Sequence, residues 1–227
     1  MKTTFKTGLS ALLLLLAISC KKESSKTLAS AKIDAFTLTT DLNAGDAVTI
    51  GRQVWKKKDL ITSFYRNGDK IPEVKDPAKW ANLTTGAWCW YNNDPRYGKL
   101  YNWYAVNDPR GLAPSGWHIP SDAEWTALTA SLGGISSAGG KMKETGTTHW
   151  LTPNADATNS SGFTALPGGT RYYLGAFFDV GGYGYWWSST EADTQSAYYR
   201  YLTYFYGAIS GTTDYKTNGF SVRCLKD

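Results

Sequence analysis

The stretch PSDAEWTALTASLGG, residues 120–134, gives the clearest structural signal in the chain. Ser121, with Glu124 three positions later, forms a capping box, in which each side chain accepts a hydrogen bond from the other residue's backbone N–H. Large apolar residues follow at helical spacings of three and four: Trp125, Leu128 and Leu132. Glycines 133–134 then supply the left-handed backbone conformation that commonly ends a helix. The stretch therefore predicts an amphipathic helix that begins after Ser121 and packs one face on a core.

Shorter signals on both sides of this helix complete the fold prediction. Residues 48–55 alternate around Gly51 and predict an opening hairpin or a bulged strand, and the spacing of tyrosines over residues 97–106 predicts a short helix. Strand-like runs bounded by Gly, Asp or Asn fill the last third of the chain, at residues 170–178, 183–188, 197–205 and 220–225. Helices early and strands late predict an α+β domain with short helices, a small antiparallel sheet and long loops.

The composition is rich in aromatic residues and only mildly basic. All ten Trp and all fifteen Tyr lie beyond residue 19. Such side chains each bury a large area and can stabilise a domain that has little regular structure. The formal net charge is +5 without a run of clustered Lys or Arg, whereas nucleic-acid binding calls for a strongly basic surface. We therefore expect one folded domain and no nucleic-acid partner.

The first residues have the pattern of an export signal. Lys2 and Lys6 precede an apolar run of ten residues, 9–18, and small residues then lead to Cys20. Such a run is about half of what a membrane-spanning helix needs, so it fits a signal peptide. The pattern resembles a bacterial lipobox, which implies that Cys20 is acylated and anchors the protein in the lipid bilayer of the cell envelope, at the outer membrane or cell surface. The chain accordingly divides into a signal peptide (1–19), a lipidated flexible tether (20–45) and a folded domain (46–227).

Four blocks of sequence carry a family resemblance. They are, in order, YGKLYNWYAV at residues 97–106, PSGWHIPSDAEW at 114–125, WWSST at 186–190 and GFSVRC at 219–224. These blocks resemble the Fibrobacter succinogenes major paralogous domain family. That family is similar to the formylglycine-generating and sulfatase-modifying group, whose helix start matches residues 120–125. The resemblance implies a C-type-lectin-like fold, in which the chain ends lie close together and a long irregular loop region is held on a small sheet.

Two cysteines, Cys89 and Cys224, lie in the expected domain, and the sequence leaves their state open. In an oxidising compartment a disulfide between them would join the middle of the domain to its last strand. Many members of the family carry a cysteine where this chain has Ala113, so the resemblance does not decide between a bridge and free thiols. An oxidase of the formylglycine-generating type needs a reactive, partly exposed thiolate, whereas Cys89 between two tryptophans is placed for burial. We therefore expect no catalytic residues and no enzyme, with such an oxidoreductase as the alternative.

Candidate metal ligands are few. His118 and His149 are the only histidines and are not closely spaced, so zinc is poorly supported, and His118 is assigned a packing and hydrogen-bonding role. An oxygen-rich loop offers three calcium candidates: Asn154, Asp156 and Asn159. Asn and Asp also stabilise turns without a metal, because their side chains bond the nearby backbone. The expectation is therefore no cofactor, with calcium as the alternative.

Adjacent aromatic residues in the last third supply the candidate ligand site. Successive strand residues face opposite sides of a sheet, so one member of each adjacent pair points outward unless loops cover both faces. Exposed rings bind sugars or a protein through flat contact area and hydroxyl groups. The ligand-binding candidates are Tyr183, Tyr185, Trp186, Trp187, Tyr198 and Tyr199. The predicted function is a non-catalytic, lipid-anchored binding module for an extracellular glycan or a surface protein, with a structural coat component as a further alternative.

Overall fold

The computed structural model describes residues 46–227, which contain eleven strands and four short helices. The strands are β1 (Ala47–Ile50), β2 (Gln53–Lys56), β3 (Trp88–Tyr91), β4 (Asp94–Tyr101), β5 (Trp117–His118), β6 (Thr170–Arg171), β7 (Phe177–Phe178), β8 (Tyr183–Glu191), β9 (Ser196–Thr203), β10 (Ile209–Tyr215) and β11 (Leu225–Lys226). The helices are α1 (Pro77–Ala81), α2 (Trp103–Val106), α3 (Asp122–Ser131) and α4 (Ile135–Met142).

These strands form several small antiparallel sheets, which confirms the α+β prediction. One sheet has the order β1-β2-β11-β5, so the first and last strands of the described domain share a sheet. Leu225 joins its neighbours there, because it lies opposite Trp55 of β2 and His118 of β5. The longest strands form a three-stranded sheet of order β10-β9-β8, and β3 with β4 and β6 with β7 form two-stranded ribbons.

Helix α3 confirms the prediction made from residues 120–134. Ser121 Oγ accepts a hydrogen bond from Glu124 N at 3.3 Å, and Glu124 Oε2 accepts one from Ser121 N at 2.7 Å, so both halves of the capping box are present. Trp125 and Leu128 are fully buried. Because the capping box fixes where the helix starts, it also fixes which face reaches the core.

Core clusters cover both faces of the three-stranded sheet. On one face lies a cluster that includes Trp187, Tyr199 and Phe220. On the other face lies a cluster formed with α3 and α4 that includes Trp186, Leu202 and Ile209. The sheet is therefore a middle layer over part of its area, which limits the aromatic residues that ligands can reach.

Buried cations hold the irregular segments together. Arg171, Lys143 and Arg223 are each at most 1% exposed. Arg223 donates to the carbonyl oxygens of Lys57 and Phe163 at 2.7 and 2.6 Å. Lys143 Nζ donates at 2.7, 2.9 and 2.9 Å to the carbonyl oxygens of Ala155, Thr203 and Tyr206. Carbonyl oxygens in loops and at the end of β9 thus gain donors inside the protein, which meets the requirement that buried backbone groups be hydrogen-bonded.

The helix predicted over residues 97–106 is wrong in its first half, which is strand. β4 runs to Tyr101 and pairs with β3 across a turn at Asn92 and Asn93, whose φ values are 45° and 64°. Helix α2 begins only after Asn102, whose side chain caps it by accepting a hydrogen bond from Ala105 N. The tyrosine spacing fits a helix, but residues up to Tyr101 form a strand because they pair with β3.

The predicted strand 220–225 is also shorter than expected, because regular pairing is confined to β11, and Phe220 and Ser221 make only isolated bridges to other strands. No helix within residues 46–227 is both long enough and apolar enough to cross a bilayer. The predicted signal peptide, Cys20 and the tether lie outside the described residues.

Candidate functional site

Trp186 and Trp187 are both buried, so for this pair the structure has the alternative in which both faces of the sheet are covered, and neither residue is exposed as a ligand site. Trp186 is 1% exposed, and its Nε1 donates to Asp59 Oδ1 at 2.8 Å. Trp187 is 0% exposed, and its Nε1 donates to the carbonyl oxygen of Tyr101 at 2.8 Å. Loops and helices cover both sheet faces at this point, so neither ring can contact a ligand in the folded protein.

The tyrosines on one face of the same sheet remain accessible. Tyr183, Tyr185 and Tyr201 are half-buried, whereas Tyr199 is 8% exposed and belongs to the core edge. The register places Tyr185 directly opposite Tyr201. The rings of Tyr183 and Tyr185 are stacked with centroids 5.8 Å apart, and those of Tyr185 and Tyr201 are 6.0 Å apart. We call these four residues the tyrosine surface.

A carboxylate adjoins the tyrosine surface. Tyr185 OH donates a hydrogen bond to Asp179 Oδ2 at 2.8 Å, and Asp179 is exposed. Burial, together with this carboxylate, raises the pKa of Tyr185. Burial, with a contribution from Asp214, raises the pKa of Tyr199 to about 12. These phenols therefore stay neutral at physiological pH and can both donate and accept hydrogen bonds.

A second group of rings lies on the β6–β7 hairpin and the end of β10. Tyr172, Phe178 and Tyr215 are 38%, 49% and 47% exposed. Tyr173 connects them, because its ring lies 4.3 Å from that of Tyr172 and 4.7 Å from that of Tyr215. The hydrogen bond with Tyr173 is the main cause of the raised pKa of Tyr172. We call Tyr172, Tyr173, Phe178 and Tyr215 the hairpin aromatics.

The remaining candidate, Tyr198, faces the opposite side of the sheet. It lies in a groove with Arg200 of β9 and Asp122 at the start of α3. Strand alternation separates it from Tyr199, as expected for adjacent residues. The structure thus divides the six candidates among a tyrosine surface, a groove on the other face and the core.

Comparison with protein families identifies the family of this domain. The family model of the Fibrobacter succinogenes major domain matches residues 48–226, from β1 to β11. The chain belongs to this family. No curated protein and no solved structure matches the chain. The family match therefore confirms the resemblance in the four sequence blocks.

Tyr201 and Asp179 are site residues that sequence reasoning did not select. Tyr201 follows Tyr199 by two positions, so strand alternation alone places both on one face. Asp179 gave no comparable signal, because it lies in the turn before β8 and reaches Tyr185 only in the folded family domain.

Both cysteines of the family domain are free and buried, so the structure has the unbridged alternative. Burial raises the pKa of Cys89 to about 11 and that of Cys224 to about 12. They belong to different core clusters. Because the thiolate is the reactive form, burial lowers the reactivity of both thiols at neutral pH.

His118 has the hydrogen-bonding role predicted for it. Its Nδ1 lies 2.8 Å from Asp227 Oδ1 and its Nε2 lies 2.9 Å from Glu124 Oε1. Burial lowers the pKa of His118, but the hydrogen bonds to Asp227 and Glu124 outweigh it and leave the pKa raised. The imidazole thus joins β5, the start of α3 and the end of the chain.

The three calcium candidates lie in turns, each with a left-handed backbone: Asn154, Asp156 and Asn159 have φ values of 44°, 59° and 47°. Asn159 uses both side-chain atoms on Thr164. Asn154 Nδ2 donates to the carbonyl oxygens of Glu144 and Gly146, while its buried Oδ1 accepts no hydrogen bond. Within residues 46–227 no group of three or more His, Cys, Asp or Glu side chains is arranged to hold a metal. Calcium binding by these residues stays a prediction.

Proposed function

We propose that this protein is a non-catalytic binding module that recognises glycans through the tyrosine surface. The observation that carries the proposal is a row of three half-buried tyrosines, Tyr183, Tyr185 and Tyr201, beside the exposed carboxylate of Asp179. Ligand sites typically combine flat apolar contact area with a few fixed polar groups.

The chemistry of sugars fits this arrangement. A pyranose ring has a face of C–H groups that packs on an aromatic ring, and a rim of hydroxyls that both donate and accept hydrogen bonds. Tyr183 and Tyr185 offer parallel rings, with an interplanar angle of 8°. Tyr185 OH donates its one hydrogen to Asp179, so the phenol oxygen and the carboxylate offer acceptors for sugar hydroxyls at the same end. Rigid, ring-bearing side chains lose little conformational entropy on binding, which favours recognition on a shallow surface.

The proposal places the module at the cell envelope through an acylated Cys20 and the tether 20–45, displayed at the outer membrane or cell surface. It also includes a C-type-lectin-like fold and a likeness to the formylglycine-generating group. Support for that fold comes from the sheet shared by β1 and β11, which brings the two ends of the domain together. The long loops held by buried cations agree with it.

A surface protein is the second candidate ligand, supported by the hairpin aromatics. Tyr172, Phe178 and Tyr215, with the nearby Leu174 at 60% exposure, give a patch of large exposed side chains. Aromatic residues are enriched in protein interfaces. A protein ligand would bind there, whereas a glycan would bind on the tyrosine surface, so substitutions at the two places separate the candidates.

A glycan array tests the proposal with the full-length protein in detergent. We expect Tyr185→Ala to abolish a binding signal that the unsubstituted protein gives, and Tyr185→Phe to weaken it, because the ring is kept and the bond to Asp179 is lost. Ile61→Ala, at an exposed position that is not one of the four residues of the tyrosine surface, serves as the matched control. Repeating the array with added calcium tests the calcium alternative. An array without signal, together with capture of a surface protein that Tyr172→Ala abolishes, would favour the protein ligand instead.

A further inference from the structure

The groove on the other face of the three-stranded sheet is a separate concave site. It lies between β9 and β10 on one side and α3 with the start of α4 on the other, and its volume is about 440 Å³. Small-molecule sites commonly have volumes of about 300 to 1,000 Å³. The side chains that matter are Asp122, Thr126, Ile135, Tyr198 and Arg200.

An ion pair forms the polar wall of the groove. Arg200 Nη1 lies 2.5 Å from Asp122 Oδ1, and Arg200 Nη2 donates to Thr126 Oγ1 at 3.2 Å. The arginine side chain is 12% exposed and that of Asp122 is 29% exposed. Asp122 Oδ1 is itself buried, and Arg200 Nη2 also donates to the carbonyl oxygen of Asp122 at 3.3 Å. The wall therefore presents the other carboxylate oxygen of Asp122 beside the remaining N–H groups of Arg200, and the two charges cancel locally.

Gly211 makes room for this arrangement. A Cβ at position 211 would overlap Arg200 Nη1, so the guanidinium lies directly on the backbone of β10. Glycine inside a strand normally weakens it and often marks a close approach by another group. Here the approaching group is the arginine that lines the groove.

Apolar side chains face the groove beside the ion pair. Ile135 is 67% exposed at the start of α4, and Tyr198 is half-buried on β9. Covering an isoleucine side chain that is otherwise in solvent removes apolar area from water, which favours binding. The groove therefore suits a ligand with one apolar face and one edge of hydrogen-bonding groups.

We propose that this groove binds one neutral saccharide unit. Adjacent hydroxyls of such a ring can accept from Arg200 and donate to Asp122 at once, while its C–H face covers Ile135 and Tyr198. An acidic sugar would meet the carboxylate of Asp122, and a cationic ligand would meet Arg200, so the paired charges select for a neutral ligand. The site does not depend on the tyrosine surface, because the two lie on opposite faces of the sheet.

Ligand-observed NMR with the full-length protein tests the proposal. The probes are the methyl glycosides of glucose, galactose, mannose and N-acetylglucosamine, with glucuronate as the anionic comparison. We expect at least one neutral glycoside to bind, and to lose tenfold or more in affinity in Arg200→Met and in Gly211→Val, which displaces the guanidinium. Ile135→Ala, on an exposed position that leaves the fold intact, should weaken the same probe several-fold.

Tyr185→Ala separates the groove from the tyrosine surface, since the Tyr185 ring lies on the opposite face of the sheet, where it stacks on Phe220. Binding that survives Tyr185→Ala and falls in the groove variants supports the groove site, whatever the array shows for the tyrosine surface. Three results overturn it: no neutral glycoside binds, glucuronate binds more tightly than every neutral probe, or the affinity is unchanged in Ile135→Ala and Gly211→Val. Circular dichroism of each variant identifies any that fails to fold, and Ile135→Ala then decides.

Discussion

Replacing Arg223 with methionine tests whether buried cations hold the loops of this domain. The guanidinium is 1% exposed, and its Nε lies 2.7 Å from Asp59 Oδ1, whose side chain is 6% exposed. Arg223→Met keeps most of the apolar stem but leaves that carboxylate without its cation. It also removes the donor from three carbonyl oxygens: those of Lys56, Lys57 and Phe163.

The magnitude follows from these contacts. Removing one partner of a buried ion pair costs about 3 to 5 kcal/mol, because the other charge stays desolvated. Each buried carbonyl left without a donor adds about 1 kcal/mol or more, unless water reaches it. We therefore expect Arg223→Met to lower the free energy of unfolding by about 4 kcal/mol or more, a large share of the roughly 5 to 15 kcal/mol of a typical domain.

Urea unfolding followed by tryptophan fluorescence and far-UV circular dichroism measures this change, provided that the two signals coincide. Asp59→Asn is the matched variant, since it removes the charge but keeps an oxygen that Trp186 Nε1 can donate to. In the Asp59→Asn background, Arg223→Met leaves no unpaired carboxylate. The double variant should therefore lower the free energy of unfolding by about 2 kcal/mol less than the sum of the two single variants. Strict additivity, or a loss below about 3 kcal/mol in Arg223→Met, would refute the reasoning.

Three further predictions concern groups outside the proposed binding sites. Cys89 and Cys224 should resist a thiol reagent at neutral pH in the folded protein and react in denaturing urea, because burial raises both thiol pKa values; fast labelling of the folded protein would contradict their burial. The folded-state pKa of His118 is raised, so its contribution should be present below about pH 6.5 and be lost as pH rises through the folded-state pKa. Since the imidazole is 37% exposed, the loss should stay below about 1 kcal/mol in urea unfolding and be absent in His118→Gln. Gly139→Ala should destabilise by about 1 to 3 kcal/mol in thermal unfolding although alanine favours helices, because a Cβ there would overlap the carbonyl of Ala208; a gain in stability would show that α4 can shift away.

Local signals were enough to predict α3 and the opening hairpin. The capping box at Ser121 and the alternation around Gly51 each act within a few residues, so no distant contact is needed to read them. The family match to residues 48–226 likewise follows from contiguous blocks of sequence.

Elements that depend on distant neighbours escaped prediction. Helix α4 contains Gly139 and Gly140, which are poor helix formers, but the backbones of Ala208 and Asp156 approach them so closely that no larger residue fits. Tertiary packing therefore overrides local propensity there. The prediction of a helix over residues 97–106 was wrong for a related reason, because the first half of this segment belongs to β4, which pairs with β3.

The candidate site was predicted in part, and the error has a physical cause in the type of aromatic residue. Eight of the ten tryptophans are buried and the other two are half-buried. The indole N–H of most of them donates to a carbonyl or carboxylate inside the domain, as in Trp186 and Trp187. The large exposed aromatic residues are instead tyrosine and phenylalanine.

This division explains why an adjacent pair of aromatic residues does not by itself predict an exposed ring. Indole has one donor and a large apolar area, so a single internal acceptor satisfies it and burial is favourable on both sides of a sheet. The phenol of tyrosine both donates and accepts, so one internal partner leaves it able to form a second hydrogen bond with solvent or a ligand. In this domain tryptophan fills the core. The tyrosines that lie on one face of the sheet, beside a carboxylate, are therefore the residues to test for binding. Tyr185, bonded to Asp179 and half-buried between Tyr183 and Tyr201, meets that condition best.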